Sequence, residues 1–203
     1  MDTTFIEELA SAAPTPGGGG ASAYVGALAA AAASMVGNLT VGKKTYADVE
    51  DEVRASLARL SGLRERLLHL VDEDAHAFEP LSATYRMPKN TPDELAARNE
   101  AMQAALVEAS DVPLAIMRTI ATVMDEVEFL AHHGSKLARS DAGVAAAFAR
   151  AASDGASLNI YINAASMDDA ARSAYYREEA DSLAARTRVR CDEVFEFVKT
   201  AVS

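Results

Sequence analysis

One aspartate occupies a position where the helical pattern calls for an apolar side chain. Leu63, Leu67 and Leu70 recur at three- and four-residue steps within a long segment, which predicts a helix with one apolar face. At about 100° per residue, Asp74 falls in the middle of this stripe, whereas Asp72 falls on the opposite, polar face. The pattern therefore predicts that the Asp74 carboxyl group points into the protein and that the Asp72 carboxyl group points into solvent.

A carboxyl group in apolar surroundings has few possible roles. An unpaired charge there is unfavourable, so the group either changes its pKa or pairs with a cation. Such groups are concentrated at active sites, where a shifted pKa assists proton transfer. The sequence leaves two interpretations of Asp74 open: a functional acid or base, and one half of a buried salt bridge to an arginine or lysine of the same protein.

A run of prolines and glycines, residues 14–20, precedes an alanine-rich helical pattern over residues 21–37. The prolines end any helix before the run, and the glycines allow the backbone to turn and to approach other groups closely. Backbone amides at a helix start can bind an anion, but the run lacks the lysine of a P-loop and the preceding strand of a dinucleotide-binding motif. A flexible linker is the alternative interpretation; we favour a tight turn against which a flat ligand can lie.

Two asparagines lie one helical turn apart near a second apolar stripe. Asn159 and Asn163 are at the edge of the stripe formed by Val144, Phe148 and Ile162. A side-chain amide there requires hydrogen-bond partners, either from another helix or from a ligand.

The histidines give little reason to expect a metal site. His69 and His76, with Glu73 between them, lie on a polar face, and their spacing matches no metalloprotease motif. We therefore predict no metal site. Cys191 lies in a charged terminal segment without a histidine nearby, which argues against a cysteine nucleophile.

These candidate residues lie on predicted helices, and no segment has a convincing two-residue period. A long helix covers residues 48–78, and Pro80 is expected to bend or end it. Thr91 begins a helix that continues to Gly134, Ser140 and Asp141 cap the next one, and the last begins near Asp168. The fold class is therefore all-α, a single-domain bundle of about six or seven helices over residues 1–203.

Composition restricts the partners and the compartment. The net charge of −11 argues against nucleic acid. A single cysteine among 203 residues suits a reducing compartment, and the N-terminus lacks the basic region of a secretory signal. Residues 21–37 are apolar but too short for a membrane span. We expect a cytoplasmic protein that binds neither membrane nor nucleic acid.

Six short segments occur in a fixed order along nearly the whole chain: residues 16–19, 35–46, 72–78, 87–92, 140–145 and 159–163. Together they resemble the cyclodeaminase/cyclohydrolase family of folate enzymes, which includes methenyltetrahydrofolate cyclohydrolases and the cyclodeaminase half of formiminotransferase-cyclodeaminase. Two positions depart from the family pattern. Gly20 stands where Ser or Thr is usual, and Thr45 stands where a basic residue is common.

The resemblance implies an all-helical homodimer that acts on a tetrahydrofolate one-carbon adduct without metal or redox cofactor. It places the family's catalytic aspartate at Asp74 and implies folate binding at Gly17, Gly18, Gly19, Lys43, Lys44, Lys89, Ser140, Asp141, Asn159 and Asn163. Lys43 and Lys89 would attract the glutamate tail of the folate. Asn159, Asn163 and Asp141 would hold the pterin.

Two reactions fit the resemblance. One is the hydrolytic interconversion of 5,10-methenyltetrahydrofolate and 10-formyltetrahydrofolate; the other closes 5-formiminotetrahydrofolate to the methenyl form and releases ammonia. Both require proton movement beside a cationic carbon, a task that one positioned acid can perform. The sequence contains no segment resembling a formiminotransferase, which favours hydrolysis. A helical folate-binding or scaffold homodimer without catalytic activity is the alternative.

Overall fold

Prolines, glycines and capping side chains set most of the helix boundaries. The computed structural model describes residues 3–203 and contains, within them, six α-helices: α1 (Thr4–Leu9), α2 (Gly18–Asn38), α3 (Glu50–Thr84), α4 (Pro92–His133), α5 (Arg139–Ala164) and α6 (Ala170–Val202). Short 3₁₀ helices at Lys44–Tyr46 and Lys136–Ala138 precede α3 and α5. The all-helical, single-domain prediction is confirmed.

Helix α2 is covered by neighbouring helices on all but one face. It packs between α3 and α5 and also contacts α4. Its small residues make this possible: a Cβ atom added to Gly26 would lie 3.2 Å from both Ile120 of α4 and Leu67 of α3. Close approach of the helices buries the leucine stripe of α3 against α2 and α4, and Leu67 and Leu70 are fully buried.

The length of α2 differs from the prediction. The helix has 21 residues rather than about 17, because it already begins within the glycine run. By length and composition alone it is apolar enough to cross a membrane, but 61% of its most apolar 18-residue window is buried inside the protein. This burial is typical of the core helix of a soluble bundle.

Two predicted helix boundaries were wrong. Helix α3 continues through Pro80 to Thr84, since Ala77 and Leu81 on either side of the proline are both buried and hold the helix in place. Ser140 and Asp141 do not cap α5: the helix follows directly on a 3₁₀ helix, its N-cap is Ala138, and both residues lie inside its first turn.

Other boundaries follow the sequence closely. Thr91 and Glu94 form a capping box at the start of α4, in which the Thr91 hydroxyl oxygen accepts a hydrogen bond from the Glu94 amide at 3.2 Å. Gly134 occupies the C-cap position of α4. Asp169 caps α6 by accepting hydrogen bonds from two backbone amides of its first turn.

Candidate active site

A cleft of about 250 Å³ lies where the N-terminus of α2 meets α3, α4 and α5. Three of the predicted segments converge there, although they are far apart in the sequence. The proline-glycine run contributes one wall, α3 contributes Asp74, and α5 contributes Asn159 and Asn163. The complete lining is Pro14, Thr15, Gly17, Gly18, Asp74, Phe78, Leu81, Tyr85, Leu106, Ala109, Asn159, Ile162, Asn163 and Ser166.

The Asp74 carboxyl group lies inside this cleft, half-buried, as its position in the leucine stripe predicts, and Asp72 is exposed. Burial raises the pKa of Asp74, because the charged form loses its hydration. One hydrogen bond opposes this effect: the backbone N–H of Gly20 donates to Asp74 Oδ2 at 2.7 Å and favours the carboxylate. Within residues 3–203 no arginine or lysine forms an ion pair with Asp74, so the salt-bridge interpretation finds no support.

The glycine run is required because the backbone of α2 closely approaches Asp74. It is not required by a backbone conformation with positive φ. A Cβ atom on Gly19 would lie 2.1 Å from Asp74 Oδ1, so no side chain fits there while the carboxylate keeps its place. Among residues 3–203 the only glycine with positive φ is Gly42, outside the run. The N-terminus of α2 does bind an anion, as the exposed amides suggest, but the anion is the protein's own carboxylate.

The two asparagines line the cleft, and their side chains are only partly used in hydrogen bonds. The side-chain N–H of Asn159 donates to the carbonyl of Gly155 at 3.1 Å, and that of Asn163 donates to the carbonyl of Ala109 at 2.8 Å. No hydrogen bond among the described residues uses the side-chain oxygens of these two asparagines. They are therefore suited to accept hydrogen bonds from a ligand that carries N–H groups.

The remaining lining is largely apolar and suits a flat ring system. Phe78 and Leu81 of α3 face the cleft together with Leu106 of α4 and Ile162 of α5. Tyr85, in the last turn after α3, adds an aromatic ring that is 59% exposed. Sequence reasoning missed Leu106 and Tyr85, because only the tertiary fold brings α4 and the end of α3 to the same place.

Four predicted substrate-binding residues lie at the opposite end of the protomer. Lys43 and Lys44 follow the C-terminus of α2, whereas the cleft lies at its N-terminus, and 21 helical residues span about 31 Å. Ser140 and Asp141 are in the first turn of α5, far from Asn159 in its last two turns. Within one protomer these four residues do not reach the cleft, contrary to the expectation of a single site.

Lys89 also lies outside the lining of the cleft. It is exposed in the loop between α3 and α4, four residues after Tyr85, so it is nearer the mouth than Lys43 is. A smaller pocket beside the cleft shares Phe78 and the proline segment with it and is bordered by Arg86, a cation that the sequence did not single out.

The histidine and cysteine positions give no second site. Glu73 forms an ion pair with Arg66, and the two histidines beside it are exposed. Across residues 3–203 no group of three His, Cys, Asp or Glu side chains is arranged to hold a metal ion. Cys191 is buried, and burial raises the pKa of its thiol to about 12, which makes it a poor nucleophile at neutral pH.

Comparison with known proteins gives consistent results. The model of the formiminotransferase-cyclodeaminase family matches residues 2–182. Methenyltetrahydrofolate cyclohydrolase of Methylorubrum extorquens is 44% identical over 200 residues, which cover 98% of this chain and 96% of that protein. Formimidoyltransferase-cyclodeaminase of Sus scrofa is 35% identical over 180 residues, covering 89% of this chain but 33% of that protein.

A solved structure is similar over nearly its full length. The formiminotetrahydrofolate cyclodeaminase of Thermotoga maritima aligns with a TM-score of 0.81 and 30% identity, covering 99% of this chain and 95% of that one. The chain is thus similar in length to two of these proteins and spans about a third of the pig protein.

Proposed function

This chain belongs to the formiminotransferase-cyclodeaminase family, and from that premise we propose that it is a methenyltetrahydrofolate cyclohydrolase. Membership and the similarity to proteins of the same length support a folate cyclohydrolase or cyclodeaminase of one-carbon metabolism. The hydrolytic reaction is favoured by the identity of 44% to a cyclohydrolase over almost the whole of both chains.

The half-buried Asp74 carboxyl group, without a cation beside it, is the observation that carries this proposal. 5,10-Methenyltetrahydrofolate bears a delocalised amidinium cation between N5 and N10. A carboxylate in an apolar cleft attracts such a cation more strongly than one in water does. The Gly20 amide holds Asp74 Oδ2 at 2.7 Å and so directs the carboxylate toward the cleft.

Hydrolysis then proceeds in two steps. A water molecule adds its oxygen to the bridging carbon, and Asp74 accepts the proton that the water loses. The bond from this carbon to N5 breaks, Asp74 returns the proton to N5, and the hydroxyl proton is lost to solvent as the C=O bond of the N10 formyl group forms. The net reaction consumes one water and releases one proton. One carboxyl group serves as base and then as acid, which a raised pKa assists.

The other residues of the cleft bind the substrate and take no part in proton transfer. The free side-chain oxygens of Asn159 and Asn163 are acceptors for the N–H groups of the pterin. Phe78 and Leu81 pack against the flat ring, and the glycine turn lets the ring lie against backbone. Lys89 in the adjacent loop attracts the glutamate tail toward the mouth of the cleft.

The test compares Asp74→Asn with Asp72→Asn, its exposed neighbour on the same helix. Loss of methenyltetrahydrofolate absorbance measures turnover. We expect Asp74→Asn to reduce kcat about 10²- to 10⁴-fold, because it removes both the charge and the proton acceptor. Asp72→Asn should retain parental kcat. Near-parental turnover by Asp74→Asn would disprove the role assigned to this residue.

Cyclodeamination is the second candidate, and the similarity to the Thermotoga structure over both chains favours it. Closure of 5-formiminotetrahydrofolate uses the same cation and the same carboxylate, with ammonia as the leaving group. Assaying both substrates on one preparation distinguishes the two. Stabilisation by folate analogues in a thermal shift assay without turnover of either substrate would identify a binding protein instead.

We also propose that the chain forms a homodimer. In this dimer the second copy packs against an exposed apolar face of α2 and α5. We call it the α2–α5 face and define it by eight exposed side chains: Tyr24, Leu28, Met35, Leu39, Val144, Phe148, Leu158 and Ile162. At roughly 180 Å² for a fully exposed large side chain, they expose on the order of 700 Å², close to the roughly 800 Å² that each partner buries in a standard interface. Helix α2 contains no charged residue, so nothing on it opposes association.

The predicted cytoplasmic location is part of the same proposal. The single cysteine is buried as a thiol, and the chain is acidic, both of which suit a reducing, aqueous compartment. Fractionation of cells that express a tagged chain would test it.

A further inference from the structure

We propose that the pocket beside the cleft is the binding site for the glutamate tail of the substrate, and that Arg86 binds the tail carboxylates there. This inference rests on the folate substrate of the proposed function. It deepens that function by assigning a carboxylate subsite, and a residue that determines specificity for the tail, to side chains that take no part in hydrolysis.

The cleft itself offers no cation to the tail. Its lining includes one carboxyl group, Asp74, and no lysine or arginine. A folate tail carries at least two carboxylates, and proteins bind such groups most strongly through charged donors such as the arginine guanidinium. The cleft therefore suits the reactive end of the substrate, whereas the tail requires a second, basic compartment.

A compartment of this kind adjoins the cleft. A pocket of about 170 Å³ lies between the proline segment and the last turns of α3. It shares Pro14, Thr15 and Phe78 with the cleft, so a ligand can extend from one cavity into the other along these residues. The rest of its lining is Glu79, Ser82, Ala83 and Arg86.

Three side-chain donors of this pocket have no partner in the part of the chain that the structure describes. No hydrogen bond there uses the hydroxyl groups of Thr15 and Ser82, and no hydrogen bond or ion pair uses the Arg86 guanidinium. The Arg86 backbone amide donates to the carbonyl of Ala83 at 3.1 Å, which holds the turn that carries this side chain. A guanidinium presents paired N–H groups to a carboxylate, and a hydroxyl adds another donor.

A row of side chains four residues apart leads from the reactive carboxylate to this pocket. The row consists of Asp74, Phe78, Ser82 and Arg86, the last of which lies two residues after the end of α3. Side chains four residues apart are neighbours on a helix, but four residues exceed one turn of 3.6, so the row winds slowly around the helix axis. It accordingly passes from the cleft into the adjacent pocket, and Phe78 lines both.

The spacing along this row matches the length of the substrate. Ser82 lies eight residues beyond Asp74, about 12 Å along the helix axis. At ordinary bond lengths the aminobenzoyl ring and its amide place the two tail carboxylates roughly 10–13 Å from the bridging carbon. With that carbon beside Asp74, the ring passes Phe78 and the carboxylates reach Ser82 and Arg86.

The other charge in the pocket is compatible with this assignment. Glu79 is the one acid among the lining residues, and it forms no ion pair with Arg86 within residues 3–203. It is exposed and can accept the N–H of the amide bond that joins the aminobenzoyl ring to the glutamate. The Arg86 guanidinium is therefore left for the carboxylates.

Substrates with charged and uncharged tails test the assignment. One is 5,10-methenyltetrahydrofolate, and the other is its diamide, in which both tail carboxylates are replaced by carboxamides. We expect Arg86→Ala to raise the KM of the folate about tenfold and to change kcat by less than about twofold, because charged hydrogen bonds to the tail form in the ground state and transition state alike. Arg86→Lys should raise KM less, since it keeps the charge but loses the paired donors.

The diamide shows whether Arg86 acts on the carboxylates. For the parental protein the KM of the diamide should exceed that of the folate about tenfold, and Arg86→Ala should cause no further increase, because the interacting partner is already absent. An equal increase in KM for both substrates would show that Arg86 does not bind the tail carboxylates.

Arg54→Ala is the matched control, since it removes an arginine from the opposite end of the same helix. Arg54 lies 20 residues before Asp74, about 30 Å along the helix and beyond the screening length of about 8 Å at physiological salt. Its removal should leave KM unchanged. Thermal unfolding excludes a merely structural role: Arg86→Ala should keep its Tm within about 2 °C of the parental value, as expected for an exposed side chain without a partner.

The outcomes separate this inference from the proposed function. A KM of Arg86→Ala no higher than that of Arg54→Ala, or a loss of kcat at unchanged KM, would overturn the tail site while parental turnover leaves the folate chemistry intact. If the parental protein turned over neither folate substrate, the proposed function would fail, and the tail site would fail with it.

Discussion

At the scale of single residues, the Asp74 carboxyl group is held by two opposing influences. Burial disfavours its charge, while the Gly20 amide at 2.7 Å favours it, and burial is the larger effect on the pKa. A carboxyl group whose pKa is raised on folding destabilises the folded state at every pH where it is ionised. The site therefore gains reactivity at some expense of stability.

This balance predicts that Asp74→Asn is more stable than the parental protein near neutral pH, although its kcat is expected to be lower. The asparagine oxygen can still accept from the Gly20 amide, and no charge is buried. The pKa of Asp74 is higher in the folded protein than the value of about 3.9 in an unfolded chain. The parental protein therefore loses stability as pH rises from about 3.9 through the folded pKa, and the loss persists above it.

Thermal unfolding over a pH series measures this difference. Tm of Asp74→Asn should exceed the parental Tm by a few degrees near pH 7, and the two values should converge below about pH 3.5, where the aspartate is protonated in both states. A variant that is less stable at pH 7 would show that Asp74 stabilises the fold.

The glycine run offers a matched pair of substitutions. A Cβ atom on Gly19 would lie 2.1 Å from Asp74 Oδ1, whereas one on Gly20 would meet nothing closer than 3.5 Å. We expect Gly19→Ala to displace the carboxylate and reduce kcat at least tenfold. Gly20→Ala should retain activity and gain about 0.5–1 kcal/mol from its better helix propensity. Equal kcat values for the two variants would contradict the requirement for close approach at Gly19.

The residue scale shows where sequence reasoning succeeds. The inward orientation of Asp74 was predictable, because a helical stripe depends only on residues within a few turns. The hydrogen bond from Gly20 was not, since 54 residues separate the two groups. The separation of Lys43 from the cleft was also hidden, because it depends on the direction in which α2 runs from the glycine turn.

At the scale of helices, an ion pair between an exposed arginine and a buried glutamate connects α3 to α4. Glu126 of α4 is 4% exposed, and its two oxygens accept from the Arg59 guanidinium of α3 in a bidentate pair. A buried carboxylate that loses its cation is left without compensation, and this is strongly destabilising. The contact fixes the position of α3, on which Asp74 lies.

Arg59→Ala is therefore expected to lower the free energy of unfolding by about 1–3 kcal/mol, because it leaves the buried Glu126 carboxylate without a partner. Arg54→Ala removes an arginine from an exposed i,i+4 pair with Glu50 on the same helix. This substitution should change the free energy of unfolding by less than about 1 kcal/mol. Urea denaturation followed by circular dichroism compares the two. Losses of equal size would mean that burial of Glu126 does not determine the strength of the pair.

Helix ends could be predicted where short-range chemistry determines them. The capping box of Thr91 and Glu94 and the glycine after α4 are local signals, and the structure retains both. Pro80 misled the prediction, because the buried residues around it stabilise a helix that the sequence alone would end. Ser140 was wrongly predicted to cap α5, because serine is a favourable capping residue. It lies two positions after the actual N-cap.

At the scale of the whole molecule, we propose that the exposed α2–α5 face is the contact between two copies of the chain. We expect Leu28→Glu to convert the proposed dimer to a monomer, since a carboxylate on the α2–α5 face would be buried in the interface without a cation beside it. Val189→Glu, a similar change at an exposed position on α6, should leave the dimer intact. Multi-angle light scattering gives the masses. A Leu28→Glu protein with dimeric mass would place the interface elsewhere.

The fold class was predictable from periodicity, but the arrangement of the helices was not. Stripes of apolar residues identify helical faces without stating which partner covers them. The stripe of Val144, Phe148 and Ile162 on α5 illustrates the difficulty, since it looks like a core face and is instead exposed. Convergence of Asp74 and Asn159 in one cleft likewise required the pairing of α2 with α5.

The packing of α2 between α3 and α5 has a consequence for how the chain folds during synthesis on the ribosome. This most apolar helix is synthesised before α3, α4 and α5, and α5, with which it makes its most extensive contacts, begins about 100 residues later. During that interval of translation α3 and then α4 can cover the alanine-rich helix α2, but α5 is still absent. Demand for chaperones should therefore be greatest before α5 emerges, and nascent chains stalled within α4 should be the most prone to aggregate.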